Sequence, residues 1–477
     1  MAELREECAV FGIFGEPRAS ELAQLGLYAL QHRGQESTGI VTAHDGRFFV
    51  EKGLGLVNDV MTPERLARLP GRQAIGHNRY STTGGLNLTN ASPLTASIRG
   101  DEVAIAHNGN LVNAGALRRR LEDSGSLFQT SLDTEVFLHL LAQAEGEFED
   151  RLAVACREVQ GAYSLVLMTA RAVYGLRDPN GWRPLVLGQL ESGAHVLASE
   201  SCALDLLGAR MLREVGAGEL VRLDARGMTS RQLLPSQPLK QCIFEHVYFS
   251  RPDSVVFGET VDRVRRRLGH RLAEEHPADA DLVISVPDSS NAIALGYAEK
   301  SGLPFELGLI RNHYVGRTFI HPTQAIRDHS VRVKFNAVEA ALSGKRVVMV
   351  DDSIVRGTTS KKLVALVRRA GAREVHFRVG SPPVAFPCFY GIDTPSRGEL
   401  IGAQLTHEEI RAYLDVNSLG HLSEEGMKSC ETRRDAWCDA CFSGRYPIPP
   451  DPAAAKLSLE GPRLWGPTVG QRSVGQR

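Results

Sequence analysis

The rhythm of apolar and polar positions changes near the middle of the chain. In the first half, apolar runs of strand length recur at 8–14, 74–82, 103–111, 162–169, 172–178 and 184–189. Between them, 21–32 and 133–144 space apolar residues three and four apart, as a helix with one buried face requires. Strands in clusters with helices between them, rather than in strict alternation, predict an α+β sandwich of antiparallel sheets. Two prolines and polar punctuation across 229–242 mark a boundary. Beyond it the order becomes helix 261–275, strand 281–286, helix 291–302, strand 304–310, strand 346–350, helix 361–371 and strand 374–380. That order predicts an α/β domain with a mostly parallel sheet, whose ligands bind beyond the carboxyl ends of the strands. The expected divisions are a leader (1–7), a first domain (8–238), a second (239–450) and a loose Pro- and Gly-rich tail (451–477).

One strand end carries chemistry. RVVMVDDSIVRGTTS (346–360) is a β-branched apolar run, two adjacent aspartates, and a turn leading into a helical pattern. The first backbone N–H groups of a helix lack intrahelical partners, and the helix dipole favours an anion there. Gly357 permits close backbone approach, and Thr358, Thr359 and Ser360 add hydroxyl donors. Asp351 and Asp352 are acceptors when ionised, suited to vicinal ribose hydroxyls or to a hydrated Mg²⁺. A sugar phosphate fits both ends of this turn. The structural alternative, a capped helix with exposed acids, does not explain why two like charges should sit side by side. The segment is not a Walker loop, because GxxxxGK followed by Ser or Thr is absent from it.

Composition narrows the setting. The 477 residues allow two or more domains with real cores. Hydrophobic content of 43% and charged content of 23% are ordinary for globular chains, and a net charge of −1 gives no sign of nucleic-acid binding. No run approaches the ~18 apolar residues of a membrane span, and the first residues are too charged for a signal peptide. These features predict a cytoplasmic protein, in which eight cysteines need an explanation other than disulfides.

Cys8 stands at the head of the first predicted strand, after a leader ending in Glu6 and Glu7. Beside Ala-Val-Phe a cysteine is ordinarily a small core hydrophobe. If the leader is cleaved, however, Cys8 gains a free α-amine of unperturbed pKa about 7.7–8.0, which can activate the thiol as its base. Nearby motifs suit amide cleavage. HNGN (107–110) offers the Asn108 side-chain amide and the Gly109 N–H as oxyanion donors. HNRYSTTG (77–84) supplies Arg79, whose planar fork can hold a carboxylate. SLDTE (131–135) opens a helix with Asp133, either an N-cap or an anchor for a substrate ammonium.

CAVFGIFG (8–15), LQHRGQES (30–37), HNRYSTTG and AHNGNL (106–111), in that order, resemble the class II glutamine amidotransferase domain over roughly residues 8–240. That domain is an N-terminal-nucleophile hydrolase of four αββα layers. The VDDSIVRGTTS segment resembles the phosphoribosyl-pyrophosphate (PRPP) signature of type I phosphoribosyltransferases, an α/β fold with a parallel sheet. Together the halves resemble the glutamine PRPP amidotransferases over about residues 1–450. The resemblance implies that Cys8 attacks the glutamine amide, with Arg79 on the α-carboxylate, Asp133 on the α-amino group, and Asn108 and Gly109 as oxyanion hole. Arg33 would sit in a loop closing over the site. PRPP would lie on Asp351, Asp352, Arg356, Gly357, Thr358 and Thr359, with Ser289 joining the two aspartates around one Mg²⁺. The long polar stretch 312–335 would act as a lid, Arg317 and Lys334 being its candidates for phosphate contacts. The implied reaction converts PRPP, glutamine and water into 5-phosphoribosylamine, pyrophosphate and glutamate, the entry step of purine biosynthesis, with ammonia passing internally between the sites. A homotetramer inhibited by purine nucleotides competing at the PRPP site is also implied.

Cys438 and Cys441 form a CxxC pair, open by itself to zinc, redox chemistry or coincidence. Cys242 and Cys388 lie in segments matching cluster-bearing members of the family, and the resemblance implies a 4Fe–4S cluster on Cys242, Cys388, Cys438 and Cys441. Cys156, Cys202 and Cys430 read as packing residues. The rivals are separable: a glucosamine-phosphate- or asparagine-forming amidotransferase lacks the phosphate cup, a salvage phosphoribosyltransferase lacks the glutaminase half, and a PRPP sensor needs no Cys8.

Overall fold

The structure is a computed structural model that describes residues 8–80, 87–312 and 334–450. The first half is a sandwich of two sheets with helices outside each. One sheet has seven antiparallel strands in the spatial order Arg210–Glu214, Val186–Gln189, His195–Ala198, Ala9–Phe14, Gln73–Arg79, Ser37–His44 and Arg47–Leu54. The other has six, in the order Gly227–Gln232, Glu219–Asp224, Ala172–Arg177, Gly161–Thr169, Asp101–Leu111 and Leu94–Ile98.

The strand Ala9–Phe14 shows why the layers form. Successive strand residues point to opposite faces. Ala9, Phe11 and Ile13 pack outward with the helices Ala19–Ala29 and Ser201–Leu207. Val10 points inward, meeting Val166, Val173 and Leu197 between the sheets. The second sheet buries its outer face under the helices Ala114–Asp123, Glu135–Gln143 and Phe148–Glu158. The interior strands of each sheet are therefore covered on both faces, which is why they read as continuous apolar runs. The αββα order expected from the resemblance is present.

The second half holds a four-stranded parallel sheet, in the order Leu282–Ser285, Arg346–Asp351, Glu374–Val379 and Ser418–His421. Val283, Val348 and Val350 pack on one face with the helices Val261–Glu275 and Asn291–Ser301. Leu282, Ile284, Val347 and Met349 pack on the other with the helices Thr358–Arg369 and His407–Leu414. The strand expected over 304–310 forms only in fragments. Phe305 makes a single parallel bridge to Val283, and Leu309–Arg311 turns away to pair antiparallel with Phe335–Ala337. The chain breaks at Gly308, whose N–H closes a tight turn onto the Glu306 carbonyl at 3.0 Å.

The last strand of the sandwich ends at Gln232, and Gln241–Cys242 already pairs with Trp437–Cys438. No helix among the described residues is long and apolar enough to cross a membrane. The leader, residues 81–84 of HNRYSTTG, Arg317 with most of the expected lid, and the tail from 451 lie outside the described residues.

Candidate active sites

Cys8 lies where the first strand begins, with its thiol donating to the Tyr80 carbonyl at 3.4 Å. Burial pushes this thiol up to about 11, and neither a backbone hydrogen bond from Tyr80 nor the nearby charge of Arg79 offsets it. Arg79 ends the adjacent strand, buried, with Glu36 at 3.9 Å. The charges of Arg79, Asp133 and Glu36 all reach the thiol, so three motifs far apart in sequence converge on one sulfur.

Asn108 occupies the strand Asp101–Leu111, which pairs with Gly161–Thr169. Its side chain is fully buried, and neither Oδ1 nor Nδ2 has a partner among the described residues. Leaving a buried amide unsatisfied costs roughly 1–3 kcal/mol, so such a group points to an absent ligand. Gly109 follows at φ +149°, where an added Cβ would lie 2.0 Å from the Ala162 carbonyl oxygen. No larger residue fits this bend in the strand.

Asp133 is not a helix cap. Thr134 occupies the N-cap position of Glu135–Gln143, while Asp133 Oδ2 accepts from the Leu111 N–H at 2.9 Å. Its other oxygen faces His107 Nδ1 at 3.7 Å. Burial alone would raise this carboxyl, but His107 and the Leu111 and Thr134 N–H groups hold it below its ordinary value.

Arg33 differs most from expectation. It lies in the connection between the helix Ala19–Ala29 and the strand Ser37–His44, but its side chain is fully buried, its Nε donating to the Cys8 carbonyl at 3.3 Å. Its remaining nitrogens donate to Glu200 at 2.5 Å and to both oxygens of Glu245, at 2.9 and 2.7 Å. A guanidinium so engaged braces the backbone of Cys8.

In the second half, Asp351 and Asp352 end the central strand at the carboxyl edge of the sheet. Gly357 caps the following helix at φ +71°, a conformation that a side chain would strain, and the helix runs from Thr358 to Arg369. A cavity of about 170 Å³ is lined by both aspartates, Ser289, Arg356, the turn 357–360, Arg311, Lys334 and Tyr248. The structure thus gathers the described PRPP candidates, including Lys334, around one space. Ser290 donates to Asp351 Oδ1 at 3.1 Å and Asp352 Oδ2 at 3.3 Å, and Ser353 donates to Asp352 Oδ1 at 2.7 Å. Ser289 also bonds to Asp352. Asp352 is raised by burial despite these donors and the distant charge of Arg265. No cation among the described residues makes an ion pair with it.

The four cysteines converge as well. Cys242 and Cys438 face each other across two short parallel strands. Burial pushes the Cys441 thiol well up, and the proximity of Cys242, Cys388 and Cys438 pushes it further. Cys388 Sγ accepts from the Tyr390 N–H at 3.3 Å. Among the described residues, no three His, Cys, Asp or Glu side chains could hold a single metal ion. Cys156, Cys202 and Cys430 are buried elsewhere in the core.

With this geometry in view, the relatives are informative. The chain is 52% identical over 461 residues to the chloroplastic amidophosphoribosyltransferase of Vigna aconitifolia, covering 96% of this chain and 95% of that one. It is 48% identical to the amidophosphoribosyltransferase of Synechococcus elongatus, over 95% and 94% of the two chains. The chain belongs to the amidophosphoribosyltransferase family. A model of the glutamine amidotransferase domain matches residues 77–206. Among solved structures, the chain resembles one described as the allosteric regulatory enzyme of purine biosynthesis, with TM-score 0.91 and 44% identity, covering 96% of this chain and all of that one. It also resembles the PRPP amidotransferase of B. subtilis complexed with ADP and GMP, with TM-score 0.90 and 44% identity, over 95% and 100% of the chains. Family members therefore share both halves in one order, and the fold is an N-terminal-nucleophile hydrolase joined to a type I phosphoribosyltransferase.

Sequence reading missed several residues at these sites. Ser290 rather than Ser289 alone buttresses the two aspartates, and His107, inside a quoted motif, orients Asp133. Since a carbonyl only accepts, His107 Nε2 donates to Ala162 at 3.2 Å, and Nδ1 lies 3.1 Å from the Thr134 hydroxyl and 3.7 Å from Asp133 Oδ1. Glu200, Glu245 and Arg183 gave no signal at all, because a buried ion pair leaves no periodicity in a sequence.

Proposed function

We infer that this protein hydrolyses glutamine and transfers the ammonia to C1 of PRPP, giving 5-phosphoribosylamine, pyrophosphate and glutamate at the first step of purine nucleotide synthesis. The observation that carries this reading is the presence, in one chain, of a buried thiol within reach of Arg79 and Asp133 and of a diacid-and-glycine cavity at a parallel-sheet edge. The direct test is stoichiometry. Purified protein given PRPP, glutamine and Mg²⁺ should release glutamate and pyrophosphate in equal amounts, and glutamate without pyrophosphate would refute the transfer.

Cys8 is the nucleophile of this reading. With its thiol raised by burial, removal of residues 1–7 supplies the missing base as an α-amine on the same residue. Attack on the substrate amide carbonyl places negative charge on oxygen, which the Asn108 amide and the Gly109 N–H receive. Arg79 holds the α-carboxylate, and Asp133 the α-ammonium. Arg33 is assigned to bracing Cys8, not to binding glutamine. Asn108→Ala should lower kcat with glutamine by about 10²–10³-fold, with little change in KM and none in the ammonia-dependent reaction. Steady-state rates with each nitrogen source check this, and a change confined to KM would contradict it.

At the other end, the Thr358–Arg369 helix start and the hydroxyls of Thr358 and Thr359 receive the 5-phosphate. Asp351 and Asp352 face the ribose, and Arg356 and Lys334 the remaining phosphates. The donor set suits Mg²⁺: two adjacent buried carboxylates, one raised by burial, with hydroxyls around them. Asp351, Asp352 and Ser289 would hold the ion, which when bound neutralises charge on pyrophosphate as it leaves.

Cys242, Cys388, Cys438 and Cys441 suit a 4Fe–4S cluster, in which each iron takes one thiolate and the sulfurs stand further apart than around a single ion. A cluster held by these residues would tie the strand at Cys242 to the carboxyl-terminal segment, a structural role. The relative solved with ADP and GMP supports purine nucleotides as ligands of this protein.

A further inference from the structure

Beneath Cys8 lies a group of four fully buried charges: Arg33, Arg183, Glu200 and Glu245. Arg33 grips the Cys8 carbonyl and both carboxylates, as described above. Glu200 also accepts from His32 at 2.7 Å, from the Arg251 N–H at 2.9 Å and from Ser254 at 2.7 Å. Burial alone would raise its carboxyl, but His32 and Arg33 hold it far below the ordinary range. Glu245 accepts in addition from Ser250 at 2.6 Å and from Arg183 Nη1 at 3.4 Å. Arg183 in turn donates twice to the Tyr390 carbonyl, at 3.1 and 2.8 Å.

Two positive and two negative charges balance, yet burying such a set is costly and adds little stability over well-packed apolar residues. Its arrangement has another consequence. Arg33, Arg183 and Glu200 belong to the sandwich, whereas Glu245 comes from beyond its last strand. The neighbours of Glu245 in sequence, Phe244, Val247 and Phe249, pack in the same core as Val348 and Val350, on the strand that carries the two aspartates. Tyr248, in the same turn, lines the PRPP cavity. The glutamine half thus takes one of the carboxylates that fix its nucleophile from the phosphoribosyl half.

We propose that Glu245 is a positioning residue for glutamine hydrolysis: it fixes Arg33, which fixes the Cys8 carbonyl, so that the thiol is aligned only when the two halves are docked. This rests on Cys8 being the nucleophile and deepens that assignment. Glu245 touches neither glutamine nor PRPP in this scheme, so its loss changes the rate of the glutamine step and not substrate affinity.

The test uses the full-length enzyme with two variants. In Glu245→Gln the kcat with glutamine should fall between about ten- and a hundredfold, the scale of a small misplacement of reacting groups. The KM for glutamine and the ammonia-dependent rate should stay within about twofold. Glu245→Gln leaves Arg183 without its buried carboxylate partner, so the double variant Glu245→Gln/Arg183→Met, which removes the opposed charges together, serves as the stability control. Its melting temperature should recover while its glutamine rate stays low. If the single variant does not fold, the ratio of glutamine to ammonia rates in the double variant decides the matter by the same criterion. The proposal is overturned if the glutamine rate recovers along with the melting temperature, or if both nitrogen sources lose activity in proportion. Failure of the underlying assignment looks different: a Cys8→Ala variant with Glu245 and Arg183 intact would then retain glutamine hydrolysis.

Discussion

Cys8→Ala should abolish glutamine-dependent pyrophosphate release, by about four orders of magnitude or more, while release driven by added ammonia persists. The asymmetry follows from where the residue sits. Cys8 heads a strand of the first sandwich, whereas the PRPP cavity is lined by residues from 248 onward. Removing one sulfur opens a small gap at the start of a strand and leaves the second site intact. The thiol as described is a poor nucleophile: raised to about 11, it leaves only about one molecule in ten thousand ionised at pH 7. On the proposed reading, activation comes from a base at the sulfur, the α-amine that loss of residues 1–7 would uncover. Rates measured with glutamine and with ammonium salts on the same preparation check the prediction. Equal loss with both would place Cys8 in the fold rather than the chemistry.

Asp352→Asn should reduce product formation at least about a hundredfold with either nitrogen source, because it strikes the acceptor site common to both. It should also change the response to metal. Two adjacent buried carboxylates repel each other, and burial has already raised Asp352. Converting one to an amide relieves the repulsion, so the variant should melt higher than the parent without divalent ions. Mg²⁺ should raise the melting temperature of the parent, as any ligand of the folded state does, and have a much smaller effect on the variant. Thermal melts with and without Mg²⁺ check this independently of activity. Unchanged metal stabilisation in the variant would remove Asp352 from the ion's site.

How much of this was legible from residues alone depends on the kind of signal. The strand at 9–14 was readable because both its faces are buried and its run is unbroken. The diacid turn was readable because strand, acids, glycine and hydroxyls are consecutive, so local chemistry and fold coincide. The strand expected at 304–310 failed because apolar content is not register: Gly308 turns the chain, and only Phe305 reaches Val283. The hairpin of Ser37–His44 and Arg47–Leu54 went unread because its second strand is half-exposed and mixes charged with apolar residues, without a buried run. Asp133 could be read as a cap or an anchor, and only the Leu111 N–H and His107 beside it remove the cap. Arg33 was placed in the right motif, but the buried charges around it were not foreseen. Its partners, Glu200 and Glu245, lie 167 and 212 residues away, and no local pattern announces them.

The account as a whole requires that nitrogen freed at Cys8 be consumed at the PRPP cavity without mixing with solvent. The most direct measurement supplies glutamine labelled with ¹⁵N at its side-chain amide, together with PRPP, Mg²⁺ and an excess of unlabelled ammonium. The phosphoribosylamine is then trapped and its isotope content read by mass spectrometry. The predicted product carries the label far above its share of the total ammonia pool. A product labelled only in proportion to that pool would contradict the coupling of the two sites.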